Sequence, residues 1–437
     1  SRREPDKLVV ARKDSPLIIG LGQGENFVAS DIPALLSWTR RVLVLDDGEM
    51  AVISRDKVEV SDFNGNPLEK EPMEVKWDAE MAEKGGYDHF MLKEIHEEPR
   101  AIRDTLSGRI DKTTGQVVLS ELKLSPEDMG RFSKAAIIAC GTAYHAGLVG
   151  KRVVEKLVRL PVEADLASEF RYRDPMVGPD TLTIVISQSG ETADTIAALR
   201  EAKRRGSHVL AITNVVGSSV SREADDVIYT WAGPEIAVAS TKTYVTQLVV
   251  LYLLGISLAR MRGTLDEEGA RRLAEEIRRL PQHIDTLFGK HEEHVKELAY
   301  RFKDKNDIFF IGRGLDYAVA MEGSLKLKEI SYIRAEAYAA GELKHGTLAL
   351  IVEGVPVFAL ITQPDLYEKM LSNIKEVKAR DATVIALALE GDEEIRKSVD
   401  YVMHIPRVDS LLTPVASVVP LQLFAYYAGV ARGCDVD

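Results

Sequence analysis

The sequence predicts an α/β protein with two successive doubly wound parallel sheets, preceded by the closing strands of an antiparallel domain. From Lys134 onward, apolar β-branched runs alternate with amphipathic helical stretches, the pattern of a parallel sheet covered by helices. The same alternation starts again near Asp307, which indicates two copies of one unit. Before residue 76 the apolar runs are short and separated by Asp-Gly and Asn-Gly turns, which are typical of antiparallel hairpins.

Length and composition exclude several classes of protein. The chain has 437 residues, which is too many for a single core, and 45% of them are apolar and 28% charged. A net charge of −12 argues against nucleic acid or an anionic membrane surface as a partner. Two cysteines are too few for a disulfide framework. The most apolar stretch, 247–259, is short for a membrane span, so we expect a buried helix in a cytoplasmic protein.

Changes in pattern divide the chain into four segments. Residues 1–75 are β-rich and too short for a complete domain, so we interpret them as the C-terminal remnant of one. Residues 76–130 are charged and interrupted by glycine and proline, which indicates a linker with one helix from about His89 to Leu106. Residues 131–290 and 291–437 form the two α/β units, with polar helices at about 265–305 between them.

Each predicted strand of the two units is a short apolar run rich in β-branched residues. In the first unit these runs lie at 135–141, 181–186, 209–213 and 227–230. In the second unit they lie at 307–312, 355–361, 382–387 and 401–405. Ligands of such sheets bind beyond the carboxyl ends of the strands, so we expect a site there.

The segment from Ser187 to Thr192, with the sequence Ser-Gln-Ser-Gly-Glu-Thr, lies at one of these strand ends and leads into a helix. A helix N-terminus presents unpaired N–H groups and a partial positive charge, and three hydroxyl side chains add further donors. This combination indicates a phosphate site. The alternative is an ordinary helix N-cap, for which one hydroxyl suffices.

Four motifs together resemble the sugar-isomerase (SIS) fold and, more closely, the glutamine:fructose-6-phosphate amidotransferase family. They are Cys140-Gly-Thr142, Ser187-Gln-Ser-Gly-Glu-Thr192, Val238-Ala-Ser-Thr-Lys242 and the long motif from Glu329 to His345. The resemblance covers nearly the whole chain. It implies that residues 1–75 close a glutaminase domain whose larger part precedes them. It also implies that the sequence stops at the start of the family's tail, which carries an imine-forming lysine.

The resemblance implies a set of substrate-binding positions. The phosphate and sugar would be held by Thr142, Ser187, Gln188, Ser189 and Thr192, and the backbone near Val238 would contact the sugar. Without the resemblance, the hydroxyls that follow Val238 could equally cap the helix that starts near Tyr244.

The resemblance also implies a set of catalytic positions. Glu322, Lys326 and Glu329 share one helical face by their spacing, a pattern that is by itself more typical of a solvated charged stripe. By resemblance, Glu329 is the base that moves a proton between C1 and C2, and Lys326 lines the sugar pocket. His345 would assist ring opening from the neighbouring subunit, which predicts a homodimer with a shared site.

The resemblance therefore predicts the isomerase part of an enzyme that converts fructose 6-phosphate and glutamine, or ammonia, to glucosamine 6-phosphate. Two alternatives remain open: a plain phosphosugar isomerase, and a non-catalytic sugar-phosphate sensor. The histidine spacing shows no zinc-ligand pattern and no dinucleotide or Walker motif is present, so we expect neither a metal nor another cofactor.

Overall fold

The structure, a computed structural model, describes residues 2, 4–13, 17–30, 32–35, 38–75 and 84–437. Within these ranges two antiparallel sheets are followed by two parallel sheets. The predicted fold class is confirmed. Residues 76–83, where the predicted linker begins, lie outside the described residues.

The N-terminal β-rich unit consists of two four-stranded antiparallel sheets, with strand orders β1-β5-β6-β7 and β3-β2-β4-β8. Its strands are β1 (Leu8–Ala11), β2 (Ile18–Leu21), β3 (Asn26–Ala29), β4 (Arg41–Val44), β5 (Glu49–Ile53), β6 (Val58–Asp62), β7 (Pro67–Leu68) and β8 (Met73–Glu74). Neighbouring residues of one strand point to opposite faces, so Ile18 and Ile19 belong to two different small cores. The side chains of β2 therefore pack into one small apolar core on each face of the strand.

Three short helices connect this unit to the first parallel sheet: α1 (Phe90–His96), α2 (Glu98–Leu106) and α3 (Pro126–Arg131). The prediction of one continuous helix from His89 to Leu106 is wrong, because the helix ends before Glu97 and a new one begins. Pro99 explains the break: it has no N–H to donate to the preceding turn, but it fits the first turn of a new helix.

The first α/β unit has a five-stranded parallel sheet of order β10-β9-β11-β12-β13. Its strands are β9 (Lys134–Ala139), β10 (Val162–Leu166), β11 (Thr181–Ser187), β12 (His208–Thr213) and β13 (Asp226–Tyr229). Its helices are α4 (Gly141–Leu157), α5 (Ala167–Phe170), α6 (Ala193–Arg204), α7 (Ser219–Glu223) and α8 (Lys242–Arg262).

The second α/β unit repeats this topology, with the parallel order β15-β14-β16-β17-β18. Helices α9 (Glu267–Asp285) and α10 (Lys290–Phe302) precede it. Its strands are β14 (Asp307–Gly312), β15 (Arg334–Ala339), β16 (Pro356–Ile361), β17 (Thr383–Leu389) and β18 (Tyr401–Ile405). Its helices are α11 (Leu315–Ser331), α12 (Tyr367–Lys378) and α13 (Thr413–Ala431).

In each parallel sheet one edge strand, β10 or β15, was missing from the sequence-based prediction. Both strands contain charged residues and are only partly buried, since an edge strand is covered on fewer sides. The eight predicted strands are the more apolar ones, and all eight are present, with ends that lie at most two residues from the predicted positions.

Two long apolar helices, α8 and α13, form the centre of the core. Both are long and apolar enough to cross a membrane, but 83% of the most apolar window of each is buried inside the fold. Helix α4 packs on α8, α11 packs on α13, and α4 also contacts α11. The two α/β units therefore meet where α4 and α11 lie side by side, directly after the first strand of each unit.

Candidate active site

The loop from Ser187 to Thr192 connects the carboxyl end of β11 to the start of α6. The hydroxyl of Ser187 lies 3.2 Å from that of Thr192 and accepts a hydrogen bond from the Gly190 N–H at 3.0 Å. The Ser189 hydroxyl accepts one from the Glu191 N–H at 3.2 Å. Thr192 is the N-cap residue of α6, yet its side chain makes no capping hydrogen bond. The ordinary N-cap alternative therefore does not describe this loop.

Gly190 is required by the shape of the loop. Its φ is +67°, in the left-handed region, and a Cβ atom here would lie 2.1 Å from Ser218 Oγ. A side chain at this position would thus add both backbone strain and a steric clash. The turn brings the hydroxyls of Ser187 and Thr192 together at the helix N-terminus.

The loop lines a small cavity of about 170 Å³. Five of its lining residues are predicted binding residues: Thr142, Ser187, Gln188, Ser189 and Thr192. The cavity is also lined by polar residues that sequence reasoning missed, among them Thr195 and Gln247. Within the described part of the chain, Thr195 Oγ1 and Gln247 Oε1 are buried without a hydrogen-bond partner. Such atoms need a polar partner such as water or a ligand, so the cavity is suited to a polar group.

Thr142 connects this cavity to the second α/β unit. It lies in the first turn of α4, and its hydroxyl donates to Glu322 Oε1 of α11 at 3.0 Å. His145, one turn later on α4, hydrogen-bonds the other oxygen of Glu322 through Nδ1 at 2.7 Å. The contact between α4 and α11 thus places the two units' polar groups within one network.

Glu322, Lys326 and Glu329 form a chain of charges along α11. Lys326 Nζ lies 3.5 Å from Glu322 Oε1 and 2.7 Å from Glu329 Oε2. The Glu322 and Lys326 side chains are 0% and 1% exposed, whereas that of Glu329 is 40% exposed. The alternative of a solvated charged stripe is therefore wrong for the first two residues. Glu329 is the member that a substrate can reach.

The two buried residues in this row of charges, Glu322 and Lys326, are held in their charged forms. Burial raises the pKa of Glu322, but Lys326, His145 and Thr142 outweigh it, and the net pKa lies below its usual value. Burial lowers the pKa of Lys326, but Glu322 and Glu329 together raise it by more, so the net pKa lies above its usual value. The ammonium of Lys326 is thus fixed beside the Glu329 carboxylate.

The structure places Val238 and His345 apart from these contacts. Val238 is 87% exposed and lines a larger cavity of about 620 Å³ next to the N-terminal unit, together with Gln188 and Ser189. His345 is exposed at the end of a short 3₁₀ helix, Ala340–His345. Within the described ranges it makes no hydrogen bond or ion pair with this chain. His345 is therefore available to another molecule.

The second predicted motif is capped by a carboxylate that sequence reasoning missed. Helix α8 begins at Lys242, and its N-cap residue Thr241 makes no side-chain capping bond. Glu235 instead accepts hydrogen bonds from the N–H groups of Thr241 at 2.9 Å and Thr243 at 3.2 Å. The hydroxyl of Ser240 faces that of Thr243 and also lines the small cavity. The capping alternative is thus wrong for Ser240 and Thr241, because the Glu235 carboxylate, and neither hydroxyl, accepts the hydrogen bonds from these N–H groups.

A buried acidic cluster on the α1–α2 segment supports this motif. Glu94 Oε1 accepts from the Ile236 N–H at 2.6 Å, while its Oε2 has no hydrogen-bond partner among the described residues. Burial and the nearby Glu235 raise the pKa of Glu94 to about 8. Burial also raises the pKa of Glu98 well above its usual value. The Glu94 carboxyl group is therefore protonated over part of the neutral range.

We expect this cluster to make the protein less stable as the pH rises. A carboxyl group whose pKa is raised on folding stabilises the fold fully below its unfolded pKa, near 4.5. That contribution is lost as the pH rises through the folded pKa of about 8. The free energy of unfolding should fall across this window, and Glu94→Gln should flatten the fall by at most about 1.4 kcal/mol per pH unit. Urea denaturation at several pH values measures this, with Glu127→Gln on the exposed surface as control. An unchanged slope in Glu94→Gln contradicts the prediction.

No group of three or more His, Cys, Asp or Glu side chains that could hold a metal ion occurs in the described ranges. The charged groups that converge near the small cavity are instead paired with one another.

Comparison with known proteins gives a consistent result. The family model for the SIS domain matches residues 132–257 and 301–432. A glutamine–fructose-6-phosphate aminotransferase (isomerizing) of Caldanaerobacter subterraneus subsp. tengcongensis is 60% identical, over 99% of this chain and 71% of that protein. The protein of the same name from Clostridium tetani is 56% identical, over 99% of this chain and 71% of that protein.

The solved structures agree with these relatives. The C-terminal domain of glucosamine-fructose-6-phosphate aminotransferase from Francisella tularensis superposes with a TM-score of 0.77 at 38% identity. The match covers 81% of this chain and 99% of that one.

Proposed function

This chain belongs to the isomerizing glutamine–fructose-6-phosphate aminotransferases, and from that premise we propose how its residues act on fructose 6-phosphate. The enzyme converts fructose 6-phosphate and glutamine, or ammonia, to glucosamine 6-phosphate, and this chain carries its isomerase part. The family membership favours this function over a plain phosphosugar isomerase or a sensor. The observation that carries the residue assignment is the hydrogen bond from Thr142 to Glu322, which joins the hydroxyl-lined cavity to the charges of α11.

We assign the phosphate of the substrate to the small cavity. Its hydroxyls from Ser187, Ser189, Thr192 and Thr142 and the N-terminus of α6 together favour a dianion. A cavity of about 170 Å³ is smaller than pockets that enclose a whole ligand, so it would hold the phosphate end alone. The sugar would extend past Gln188 toward Val238 and α11. Ala143 offers no hydroxyl, so Thr142 supplies the hydroxyl of this turn, and it would donate to the phosphate by turning away from Glu322.

Glu329 would serve as the general base. The open-chain ketose condenses with ammonia at C2, releasing water and forming an imine. Glu329 then removes a proton from C1, and a proton returns at C2 to give the amino aldose. Lys326, buried beside Glu329, orients this carboxylate through an ion pair of 2.7 Å. Glu322 in turn orients Lys326 and Thr142, and is thus a positioning residue.

His345 would open the sugar ring from the partner subunit. It is exposed and makes no contact with the Glu329 group of its own chain, which is consistent with service to a neighbouring site. We therefore propose a cytoplasmic homodimer with two shared sites. We also propose that residues 1–75 close a glutaminase domain, that 76–130 link it to the rest, and that 131–290 and 291–437 are the two SIS units.

The function is tested by incubating the purified protein with fructose 6-phosphate alone, with ammonia and with glutamine. We expect glucosamine 6-phosphate to form only when a nitrogen donor is present, and this is measured by chromatography of the sugar phosphates. Glucose 6-phosphate as the main product in every mixture would favour the plain isomerase. Binding of fructose 6-phosphate without any product would favour the sensor.

A further inference from the structure

Arg12 is a buried arginine of the N-terminal unit that reaches the phosphate loop of the first α/β unit. It follows strand β1 and is 2% exposed. Its Nη1 donates to the Leu45 carbonyl at 2.5 Å, and its Nε lies 3.3 Å from Asp47 Oδ1. Its Nη2 donates to Glu191 Oε2 at 2.8 Å and to the Ser219 hydroxyl at 3.0 Å. The guanidinium therefore bridges two units of the protein.

Glu191 lies inside the loop, between Gly190 and Thr192, but it faces away from the small cavity. It does not line that cavity, and with Arg12 it lines the larger one at the boundary of the N-terminal unit. Its two oxygens accept hydrogen bonds from the N–H and the hydroxyl of Ser219, both at 2.8 Å. Arg12 and Ser219 thus hold this carboxylate on the side opposite the hydroxyls.

The charge of Glu191 makes this placement important. A carboxylate one residue from Thr192 would repel a phosphate dianion if it turned toward the cavity, and a charge repels most strongly when it is not compensated. The buried guanidinium both compensates the charge and fixes its direction through a charge-assisted hydrogen bond.

The neighbouring ion pairs of the same boundary do not have this role. Arg222 pairs with Asp46 at 2.9 Å and Arg200 with Asp47 at 3.3 Å, but these arginines are 43% and 48% exposed. Exposed pairs contribute little to stability or to orientation. Of these three arginines, Arg12 alone is buried and contacts the loop.

We propose that Arg12 is a positioning residue for the phosphate loop. Through this residue, the docking of the N-terminal unit is coupled to the affinity for fructose 6-phosphate. By holding Glu191 against Ser219, it fixes the turn Gly190–Thr192 in the conformation that presents the hydroxyls. This inference rests on the proposed assignment of the phosphate to this loop. It adds a residue from outside the two SIS units to the substrate site.

The test measures the Kd of fructose 6-phosphate by titration calorimetry and the steady-state kinetics of the same proteins. Arg12→Gln leaves Glu191 charged and uncompensated, so Kd and KM should rise about 10- to 100-fold. At saturating fructose 6-phosphate, kcat should stay within about threefold, because Glu329 is untouched. Arg12→Gln/Glu191→Gln removes both charges and should recover most of the lost affinity. Arg200→Ala, at the same boundary, is the control and should leave Kd unchanged.

An unchanged Kd in Arg12→Gln overturns the proposal, as does a double variant that binds as weakly as the single one. If Arg12→Gln does not fold, Arg12→Lys and Glu191→Gln decide instead. Each should raise Kd about 3- to 10-fold, and an unchanged Kd in both overturns the proposal. A wild type that binds fructose 6-phosphate without forming product refutes the proposed function but leaves the comparison of Kd values intact. A wild type that does not bind it overturns both.

Discussion

Replacing Glu329 by glutamine is expected to lower kcat for glucosamine 6-phosphate formation by about 10²- to 10⁴-fold, the range for loss of a general base. Glutamine keeps the size of the side chain but cannot take a proton from C1. The KM for fructose 6-phosphate should change little, because the phosphate is assigned to the hydroxyl-lined cavity and not to α11. Ammonia-dependent kinetics measure both constants.

The matched control for this variant is Glu353→Gln. Glu353 is exposed and forms no hydrogen bond or ion pair in the described ranges, so its loss of charge should leave both constants unchanged. If Glu329→Gln retains the wild-type kcat, another group must move the proton. If its KM rises while kcat is kept, Glu329 is a binding residue.

The proposed sharing of each site between two subunits gives Glu329→Gln a second use. When it is mixed with His345→Ala and the subunits are allowed to exchange, each mixed dimer contains one site with both residues intact. Random pairing should therefore restore roughly a quarter of the wild-type activity from two inactive proteins. Recovery that stays at the level of the separate variants, with exchange verified by mass spectrometry, would show that both residues act from the same chain.

The second large effect is expected from Glu322→Ala, on stability. Glu322 is fully buried and accepts hydrogen bonds from Thr142 and His145 beside the ammonium of Lys326. Its removal leaves Lys326 buried, with the partly exposed Glu329 as its remaining ion-pair partner among the described residues. Breaking a buried ion pair on one side costs about 3–5 kcal/mol, so the free energy of unfolding should fall by about that much. Urea denaturation measures the change.

Two further variants separate charge from packing. Glu322→Gln can still accept from Thr142 and should therefore be less destabilising than Glu322→Ala. Glu201→Ala removes a partly buried glutamate that pairs with the exposed Arg204 and with Arg205 at the end of α6, and should cost at most about 1 kcal/mol. Equal losses in Glu322→Ala and Glu201→Ala would contradict the importance of the buried network. Since Glu322 also orients Lys326, we expect kcat to fall in Glu322→Ala as well.

Much of the fold could be predicted because its elements have strong local signatures. The central strands of both parallel sheets are continuous apolar runs. Such a run is typical of a strand that is covered by helices on both faces of its sheet. The repeat of strand and helix from Asp307 onward predicts the second unit from the sequence alone. The edge strands β10 and β15 lacked this signature, since their polar residues face solvent. The sequence does not show on which side of Pro99 a new helix begins. The backbone places the break at Glu97, just before Pro99.

The site was predictable only in part. The Ser187–Thr192 motif predicts a phosphate loop from its hydroxyls and its place before a helix, and Glu329 and His345 are implied only by the resemblance. The polar partners Thr195, Gln247, Glu235 and His145 have no signal in the sequence, because each is an ordinary polar residue in a helix or loop. Their contacts arise between residues far apart in sequence, such as the 177 positions between His145 and Glu322.

Residue types and their order were therefore sufficient to predict the two parallel units and the loop to which we assign the phosphate, since helix, strand and capping preferences act over a few residues. Tertiary packing decided which charges are buried and what they face. The contact between α4 and α11 joins Thr142 to Glu322, and the docking of the N-terminal unit brings Arg12 to Glu191. A buried charge is tolerated only where the fold supplies its partner, and that partner comes from a distant part of the chain.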